Sequence, residues 1–342
     1  MIAARRGRGT APAQHGGRNA IGDAVRHDFS VCLNAYGPSN DVLTAIRNAA
    51  VDEYPDPDSI VARDAASVAW SVPVESLMLG AGSAELIDLV ARAFVESGDL
   101  VAIDSPAFGE YERAARIYGG RAVHEIDERA RIVFVCSPSN PLGAVRELSE
   151  LRAIADDCER HGALLVIDQA YDAFLESTFG TPLFGGHPAV VHLRSMTKEH
   201  AIAGVRVAFA VGDPAIIDAM NAVRVPWSAS SIAQHVAVAA LSLDSVTHVA
   251  EAASRLRADA IRMKTILSSM GYETSDSRTH FFTIRVRDAA DTRGTLLDRF
   301  GILVRDCTSF GLPDRIRVAA RREADNDDLL LAMSELATDL LP

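Results

Sequence analysis

The sequence is poor in the features that mark several classes of protein. Only four of its 342 residues are cysteine, and no two of them stand at a CxxC or other metal-ligand spacing. Such sparse cysteine excludes a disulfide-stapled miniprotein and is typical of the reducing cytoplasm. No apolar run approaches the roughly 18 to 20 uninterrupted residues of a membrane span. We therefore expect a cytoplasmic protein with no metal site and no membrane segment.

Positive charge is also in deficit. The chain has 34 Lys and Arg against 46 Asp and Glu, which gives a formal charge of −12. This balance argues against a sequence-independent nucleic-acid binder, because such a protein needs many cations to neutralise phosphates. A small anionic ligand is not excluded, since a few cations that point inward can dominate a pocket. The expected partner is a small molecule.

The first residues, MIAARRGRGT, are basic, but no apolar segment follows them. Neither a secretory nor a twin-arginine signal is therefore predicted. Residues 1–25 are interpreted as a mobile arm rich in Gly and Arg. The alternative is an arm that folds over a site or over a partner subunit.

Apolar strands and amphipathic helices alternate from about residue 75. Continuous Val, Ile and Leu runs separated by helices indicate a mostly parallel sheet that is covered on both faces. The predicted strands of this sheet are LMLG, LVAID, RIVFVC, ALLVID, AVVHLR and VRVAFAVG. Residues 230–270 read as mainly helical, and FFTIRVR, ILVRDC and RIRVAA read as strands before a C-terminal helix. We predict an α/β chain with an arm and part of a small domain at 1–40, a large domain at 41–230 and a small α+β domain at 231–342.

Polar residues follow most of these strands, at the edge where open α/β sheets bind their ligands. They include a glycine turn before a helix, hydroxyls, one amide, one carboxylate, one tyrosine, one lysine and one arginine. Any one of these residues alone is weak evidence for a ligand site, because a strand-end Asp is usually a cap and a lone Lys is usually solvated. Together they are what a pyridine ring with an aldehyde and a phosphate needs. The candidates are Ser83, Ala84, Phe108, Asn140, Asp168, Tyr171, Ser195, Lys198 and Arg206.

The ordered motifs SPSNPLG, DQAY, SMTK and GVR resemble those of the fold-type-I pyridoxal-phosphate enzymes, the aspartate aminotransferase superfamily. The nearest branch is that of histidinol-phosphate aminotransferases and of threonine-phosphate decarboxylases of the cobalamin pathway. The resemblance extends from about His15 to Arg321 and implies a fold-type-I large domain with a mixed, mostly parallel sheet. The chain departs from the family at Gln169, where an acid is usual, and at Glu199-His200 after the lysine.

The resemblance implies pyridoxal 5'-phosphate (PLP) as cofactor and a role for each ring contact. Lys198 would form the Schiff base and then carry the proton of the substrate α-carbon. Asp168 would keep the pyridine nitrogen protonated, so that the ring acts as an electron sink. Asn140 and Tyr171 would donate to the phenolate oxygen of the ring. Phe108 would stack on the ring, and its alternative is a core aromatic.

The same resemblance implies how the cofactor phosphate is held. Ser195 and Arg206 would bind it together with the backbone amides of Ser83 and Ala84 at a helix N-terminus. Tyr54, in EYPDP, would come from the neighbouring subunit, so we expect a homodimer with a shared active site. The alternative for Tyr54 is an exposed residue in a Pro-rich turn.

Arginines near the C-terminus are the candidates for binding the substrate, because a planar guanidinium suits a carboxylate. Arg317 resembles the carboxylate-binding arginine of the family, and Arg321 stands where relatives that handle phosphates place a second one. Arg315 and Arg305 are further possibilities, and a surface ion pair is the alternative for each arginine. His15 and Asn34 lie in segments that look like the cobalamin branch and are also substrate candidates.

The predicted function is a PLP-dependent aminotransferase that acts on an amino acid or an amino-alcohol phosphate. The alternative is a PLP-dependent lyase, either like threonine-phosphate decarboxylase or catalysing β- or γ-elimination or replacement. A regulator with a non-catalytic PLP domain is disfavoured, because only about 25 residues precede the family-like segment. A nicotinamide dehydrogenase is rejected, because GAGSAE has Glu85 where the fingerprint needs its third glycine.

Overall fold

The computed structural model describes residues 10–17, 25–177 and 186–341. The remainder of the predicted arm, residues 1–9 and 18–24, lies outside the described residues. In chain order the strands are β1 (His27–Asp28), β2 (Leu77–Gly80), β3 (Leu100–Ile103), β4 (Arg121–Val123), β5 (Ile132–Cys136), β6 (Leu164–Asp168), β7 (Val190–Ser195), β8 (Ala208–Gly212), β9 (Phe281–Arg285), β10 (Ile302–Leu303), β11 (Arg305–Asp306) and β12 (Arg315–Ala319). The helices are α1 (Asn40–Asn48), α2 (Ile60–Trp70), α3 (Ser83–Phe94), α4 (Glu110–Ile117), α5 (Leu148–His161), α6 (Pro214–Val223), α7 (Ser231–Ala240), α8 (Leu243–Ser269), α9 (Ala289–Phe300), α10 (Glu323–Glu335) and α11 (Ala337–Leu340).

In the described part of the chain, seven strands form the large sheet in the order β2-β8-β7-β6-β5-β3-β4. The strands β3 to β7 run parallel, while β8 runs antiparallel to its neighbours β2 and β7. The central strands are buried along their whole length because helices cover both faces, which explains their continuous apolar sequences. The predicted α/β fold with a mixed, mostly parallel sheet is confirmed.

A smaller antiparallel sheet has the order β11-β12-β9, and β1 pairs with β10 in a separate parallel pair. The sequence ILVRDC, predicted as one strand, forms two short strands on either side of Val304. The reason is that β10 pairs with β1 whereas β11 pairs with β12, so the chain changes partners at this residue. This change brings the N-terminal segment at β1 beside the small sheet.

Helix α8 joins the two parts of the molecule. Near its middle, Leu256 packs in the apolar cluster of the large sheet, and Ala260 and Met263 pack in the cluster of the small sheet. Helix α7 shares an apolar cluster with α2, β2 and β8. This packing favours a domain boundary inside α8, and we propose it in place of the boundary predicted at residue 230.

Several helices begin at a residue whose side chain accepts a backbone N–H, such as Ser39 before α1, Ser230 before α7 and Ser242 before α8. Helix α3 has no such cap and begins after Gly82. Its first N–H groups are therefore available to an anion.

No single helix among the described residues is long and apolar enough to span a membrane. The consecutive helices α7 and α8 pass such a test only as a pair, which is bent by 75°.

Candidate active site

One cavity lies at the carboxyl ends of the parallel strands, and it collects the predicted cofactor residues. It is lined by Ser83, Ala84, Phe108, Tyr111, Cys136, Asn140, Asp168, Ala170, Tyr171, Ser195, Thr197, Lys198 and Arg206. Nine of these residues were candidates from the sequence. The strand-end rule thus places the cavity where the large sheet presents its loops.

The carboxylate of Asp168 lies at the end of β6 and is buried. It accepts a hydrogen bond from the Tyr111 hydroxyl at 2.8 Å and another from the backbone N–H of Ala170 at 3.0 Å. Burial raises the pKa of Asp168, while these two donors and the charge of Lys198 oppose the rise. A cationic partner placed here would keep the carboxylate ionised.

Tyr111 is a site residue that the sequence reasoning missed. It is fully buried on α4, three residues after Phe108, and its ring packs edge-on against the ring of Phe108. The i, i+3 spacing of two aromatics after a predicted strand was the available signal. Cys136, Ala170 and Thr197 were missed as well, although they stand in the predicted strand RIVFVC and in the motifs DQAY and SMTK.

Lys198 follows β7 in a turn that the N-terminal segment holds in place. The backbone N–H of Asn34 donates to the carbonyl of Lys198, and the Asn34 side chain donates to the carbonyl of Glu199, both at 3.0 Å. Asn34 is not among the residues that line the cavity, and both of these contacts position the lysine loop. The predicted contact of Asn34 with substrate stays a prediction. The side-chain oxygen of Asn34 accepts the N–H of Tyr36, so both the donor and the acceptor of this buried amide have partners.

The amine of Lys198 is set up to lose its proton easily. Burial lowers the pKa of Lys198, and the positive charges of Arg317 and Arg206 lower it further, against an opposing effect of Cys32. Among the described residues, the amine donates no hydrogen bond and forms no ion pair. It therefore faces the cavity as a free nucleophile and base.

The start of α3 and Arg206 form an anion cup in the wall of the cavity. Gly82 has φ +86°, and a Cβ at this position would overlap the guanidinium of Arg206. Only glycine satisfies both conditions. The hydroxyl of Ser83 is buried and has no hydrogen-bond partner in the described chain. The hydroxyls of Ser195 and Thr197 lie 2.8 Å apart on the same wall.

These observations test whether the residues fit PLP. An orphaned hydroxyl, free helix N–H groups and an arginine suit a phosphate at one end. A buried carboxylate suits a protonated ring nitrogen, and Lys198 lines the same cavity. The donor set fits the cofactor.

Arg317, on β12 of the small sheet, contacts Asn140 in the wall of the cavity. Its guanidinium donates to the Asn140 side-chain oxygen and, at 2.5 Å, to the carbonyl of Ser30, while its Nε has no partner among the described residues. Asn140 in turn donates to the Tyr171 hydroxyl at 3.4 Å. The arginine predicted to bind substrate is thus connected directly to Asn140 and through it to Tyr171.

Arg305 lies directly opposite Arg317 in the register of β11 and β12, and both side chains are buried. Arg305 donates to the carbonyl of Gln14 at 2.9 Å and to the hydroxyl of Ser309 at 2.7 Å. Neither arginine forms an ion pair with a carboxylate in the described residues. Like charges directly opposite each other are unfavourable. A bound anion would therefore stabilise this pair of arginines.

Two other predicted substrate arginines lie elsewhere. Arg321 forms an ion pair with Asp325 at 2.9 Å and donates to the carbonyl of Asp28, so it ties β12 to α10. Arg315 forms an ion pair with Glu273 at 2.5 Å. Strand alternation puts Arg315 and Arg317 on one face of β12, but of the two only Arg317 hydrogen-bonds a cavity residue, Asn140. The structure thus places Arg321 in the surface ion pair with the acidic tail that was its alternative.

The part of the arm that the structure describes, residues 10–17, packs against the body of the protein. His15 forms a hydrogen bond with the Glu110 carboxylate at 2.9 Å, and its ring centroid lies 5.5 Å from that of Phe108. His15 therefore lies beside the cofactor cavity and does not line it. Phe108 does line the cavity, as predicted, and it also contacts the apolar core.

Tyr54 lies outside the cavity of its own chain. It is 83% exposed, and its ring packs on that of Trp227 with centroids 5.0 Å apart. Two exposed aromatic rings in contact are unusual for a surface that faces only water.

Comparisons with known proteins agree with this geometry. The aminotransferase class I and II family matches residues 28–333. Histidinol-phosphate aminotransferase of Halorubrum lacusprofundi is 31% identical over 90% of this chain and 88% of its own length. The enzyme of that name from Symbiobacterium thermophilum is 31% identical over 86% of this chain and 85% of its own.

Solved structures share the fold at lower identity. Histidinol-phosphate aminotransferase from Sinorhizobium meliloti, in complex with pyridoxal-5'-phosphate, superposes with a TM-score of 0.84 at 22% identity and covers 94% of this chain and 93% of its own. L-threonine-O-3-phosphate decarboxylase from Porphyromonas gingivalis superposes with a TM-score of 0.79 at 23% identity and covers 91% of this chain and 99% of its own.

Proposed function

The chain belongs to the class I and II aminotransferase family, and from this premise we propose that it transfers the amino group of an amino acid or amino-alcohol that carries a phosphate. The protein is a PLP-dependent transaminase with a small-molecule substrate. One observation supports a phosphate group on the substrate. Arg305 and Arg317 are buried opposite each other and have no carboxylate partner in the described chain. The names of the relatives, histidinol-phosphate aminotransferases, support the same class of substrate.

We assign the cofactor contacts to the residues of the cavity. Arg206, Ser83, Ser195 and the first N–H groups of α3 would hold the phosphate, and Asp168 would face the ring nitrogen. The ring itself would be oriented by hydrogen bonds from Asn140 and Tyr171 and by stacking on Phe108. When bound, the cofactor supplies an electron-withdrawing ring to the carbon that loses its proton.

Lys198 is assigned the proton transfer at the substrate α-carbon. Because its pKa is lowered, a larger fraction of the amine is neutral near pH 7 than for an exposed lysine, and a neutral amine can accept a proton. Asn34 keeps the loop of Lys198 in place through two carbonyls. The base is therefore held by backbone contacts that do not compete for its amine.

Arg317 and Arg305 are assigned the anionic end of the substrate. A guanidinium donates through two parallel N–H groups to a carboxylate or phosphate. The contacts of Arg317 with Asn140 and Ser30 fix its plane before the substrate arrives. A dianion between the two arginines relieves their repulsion, which gives a phosphate monoester an advantage over a neutral side chain.

The test is a panel of amino substrates, each supplied with and without its phosphate, together with a 2-oxo-acid acceptor. We expect the phosphorylated members to have a kcat/KM at least about tenfold higher, as one charge-assisted contact implies. A keto product that requires the acceptor supports transamination. Release of CO₂ without the acceptor would make the enzyme a lyase, and equal rates with and without phosphate would remove the proposed substrate class.

We also propose a homodimer in which Tyr54 completes the active site of the partner. The exposed contact of Tyr54 with Trp227, together with exposed Val51, Ile60 and Val61 nearby in sequence, supports an isologous interface. The test mixes Lys198→Ala and Tyr54→Ala subunits, which are each impaired alone. If the site is shared, the mixed dimer contains one native site and recovers activity. No recovery in a verified mixed dimer would place Tyr54 outside the catalytic site.

A further inference from the structure

Trp227 adopts a strained backbone conformation that nothing described so far explains. Its φ is +59°, and it is one of five residues other than glycine with a left-handed backbone in the described part of the chain. This conformation is costly for a bulky residue, because Cβ comes too close to a backbone carbonyl oxygen. Such strain collects at functional sites, and Arg206 in the anion cup is another example with φ +61°. Trp227 does not line the cofactor cavity of its own chain, so the function of its conformation lies elsewhere.

The indole of Trp227 packs against the ring of Tyr54. The ring centroids are 5.0 Å apart, and the ring planes are inclined by 37°. Because Trp227 is 49% exposed and Tyr54 is 83% exposed, this contact is made at the surface of the subunit and not in its interior. The hydroxyl of Tyr54 has no hydrogen-bond partner among the described residues. The contact therefore uses the apolar part of the tyrosine and leaves its polar end available to a ligand.

The segment that contains Trp227 also holds the main chain on both sides of Tyr54. Three side chains of residues 224–234 donate to backbone carbonyls of residues 50–57, namely Ser231 to Ala50, Gln234 to Asp56 at 2.7 Å and Arg224 to Pro57 at 2.8 Å. None of these hydrogen bonds involves the ring of Tyr54. The contact with Trp227 therefore adds the orientation of the ring to a main chain that is already fixed.

We propose that Trp227 is a positioning residue that orients Tyr54 for the active site of the partner subunit. The inference rests on the proposed homodimer and deepens it. An exposed tyrosine that becomes ordered only when the cofactor binds loses rotamer freedom at that moment, and this loss lowers the affinity. A ring that a neighbour already holds avoids the loss. The left-handed backbone of Trp227 is the local strain that places its indole against Tyr54.

The first experiment measures the Kd of PLP for the apoprotein, with each variant verified as a dimer by sedimentation. We expect Trp227→Ala to weaken PLP binding about two- to tenfold, as loss of one aromatic pair implies. Trp227→Gly should weaken it equally, although glycine adopts the left-handed backbone without strain. Trp227→Phe should keep the Kd within about twofold of the wild type, because it retains a ring. Wild-type affinity of Trp227→Gly would show that the indole has no role.

Val225→Ala is the matched control, because Val225 is exposed in the same segment and its truncation removes apolar surface but no aromatic contact. Its Kd for PLP should equal that of the wild type. The double variant Tyr54→Ala/Trp227→Ala tests whether Trp227 acts through Tyr54, and its Kd should equal that of Tyr54→Ala alone. The proposal is overturned if Val225→Ala loses as much affinity as Trp227→Ala, or if the two single effects add in the double variant.

Mixed dimers test which of the two sites Trp227 serves. They are treated with borohydride at a PLP concentration between the Kd values of the wild type and of Trp227→Ala, and covalently attached PLP is counted by mass spectrometry. A dimer of Trp227→Ala and Lys198→Ala subunits should contain one high-affinity site, because the native lysine receives Tyr54 from the subunit with an intact Trp227. A dimer of Trp227→Ala and Tyr54→Ala subunits should contain none. A high-affinity site in the second dimer would place Trp227 in the site of its own subunit and overturn the proposal.

These measurements use PLP alone and are therefore independent of the substrate panel. If no phosphorylated substrate is turned over, the proposed reaction fails and the role of Trp227 stands. If Tyr54→Ala binds PLP as the wild type does, the shared site fails and the role of Trp227 falls with it. If Tyr54→Ala loses affinity and Trp227→Ala does not, only the role of Trp227 falls.

Discussion

The two ends of the site differ in how their charges are balanced. At the cofactor end, the cations Lys198 and Arg206 share one cavity with the buried carboxylate of Asp168. At the substrate end, Arg317 and Arg305 contact carbonyls, an amide and a hydroxyl, but no described carboxylate. The first region contains the counter-charge for its ligand, whereas the second leaves that charge for the ligand to supply. A resident cofactor suits the first arrangement, and an anion that exchanges in every cycle suits the second.

The largest effect is expected from a substitution that removes the amine of the cofactor end. Lys198→Ala should lower kcat by at least about 10³-fold, because the proton transfer loses its base. After borohydride treatment, the variant should carry no covalently attached cofactor by mass spectrometry. The chain has only one other lysine, Lys264, so Lys264→Ala is the matched control and should keep both properties. Normal turnover by Lys198→Ala would contradict the assignment.

The next effect concerns the substrate end. Arg317→Met should lower kcat/KM by about 10²-fold, because removal of one partner from a buried charged contact costs a few kcal/mol. Arg315→Met is the control on the same strand, since Arg315 forms its ion pair with Glu273 away from the cavity. If Arg317→Met lost cofactor affinity as strongly as substrate affinity, Arg317 would serve both the cofactor end and the substrate end, against the division drawn above.

A smaller effect is expected at the anion cup. Gly82→Ala should weaken cofactor binding about tenfold, since a methyl group there displaces Arg206 and the positive φ adds a strain of about 1 kcal/mol. Gly37 is a matched control, because it has φ +82° and no atom lies within 4 Å of the point that a Cβ would occupy. Gly37→Ala should lower the melting temperature without changing the cofactor Kd. Equal Kd values for the two variants would show that the close approach to Arg206 has no consequence.

The smallest effect tests whether the two ends are coupled. Burial lowers the pKa of Lys198, and the charge of Arg317 lowers it further because it disfavours the protonated amine. In Arg317→Met the pKa of Lys198 should therefore rise, and less of the amine is neutral at a given pH. The pH of half-maximal rate for covalent attachment of PLP to the apoprotein should move upward, and it should not move in Arg315→Met. A downward shift would contradict the sign of the coupling.

The cofactor end could be predicted from the sequence because its geometry is local. Each of Asn140, Asp168 and Lys198 follows a buried apolar strand, and parallel strands bring their carboxyl ends to one edge. Continuous apolar runs predicted every strand of the large sheet except β4. The strand-end rule missed Tyr111, because this residue lies on α4 and reaches Asp168 only through its hydroxyl.

The substrate end could be predicted only in part, because it depends on contacts between segments far apart in the chain. Arg321 and Arg305 were comparable candidates in the sequence, and strand pairing separates them. β11 places Arg305 opposite Arg317, whereas Arg321 lies beyond β12 next to Asp325. The sequence offered an arm that folds over a site only as an alternative, and the structure packs Gln14 against Arg305 and His15 against Glu110.

Helix α8 belongs to both halves of the molecule, and this limits how the protein can be recombined with its relatives. A chimera that exchanges the small domain at a loop near residue 230 would transplant α7 away from the apolar cluster of the large sheet. A crossover between Leu256 and Ala260 would instead leave each apolar cluster with its own sequence and would join the donors within continuous helix. Grafting a different substrate end onto this cofactor end should succeed at that point.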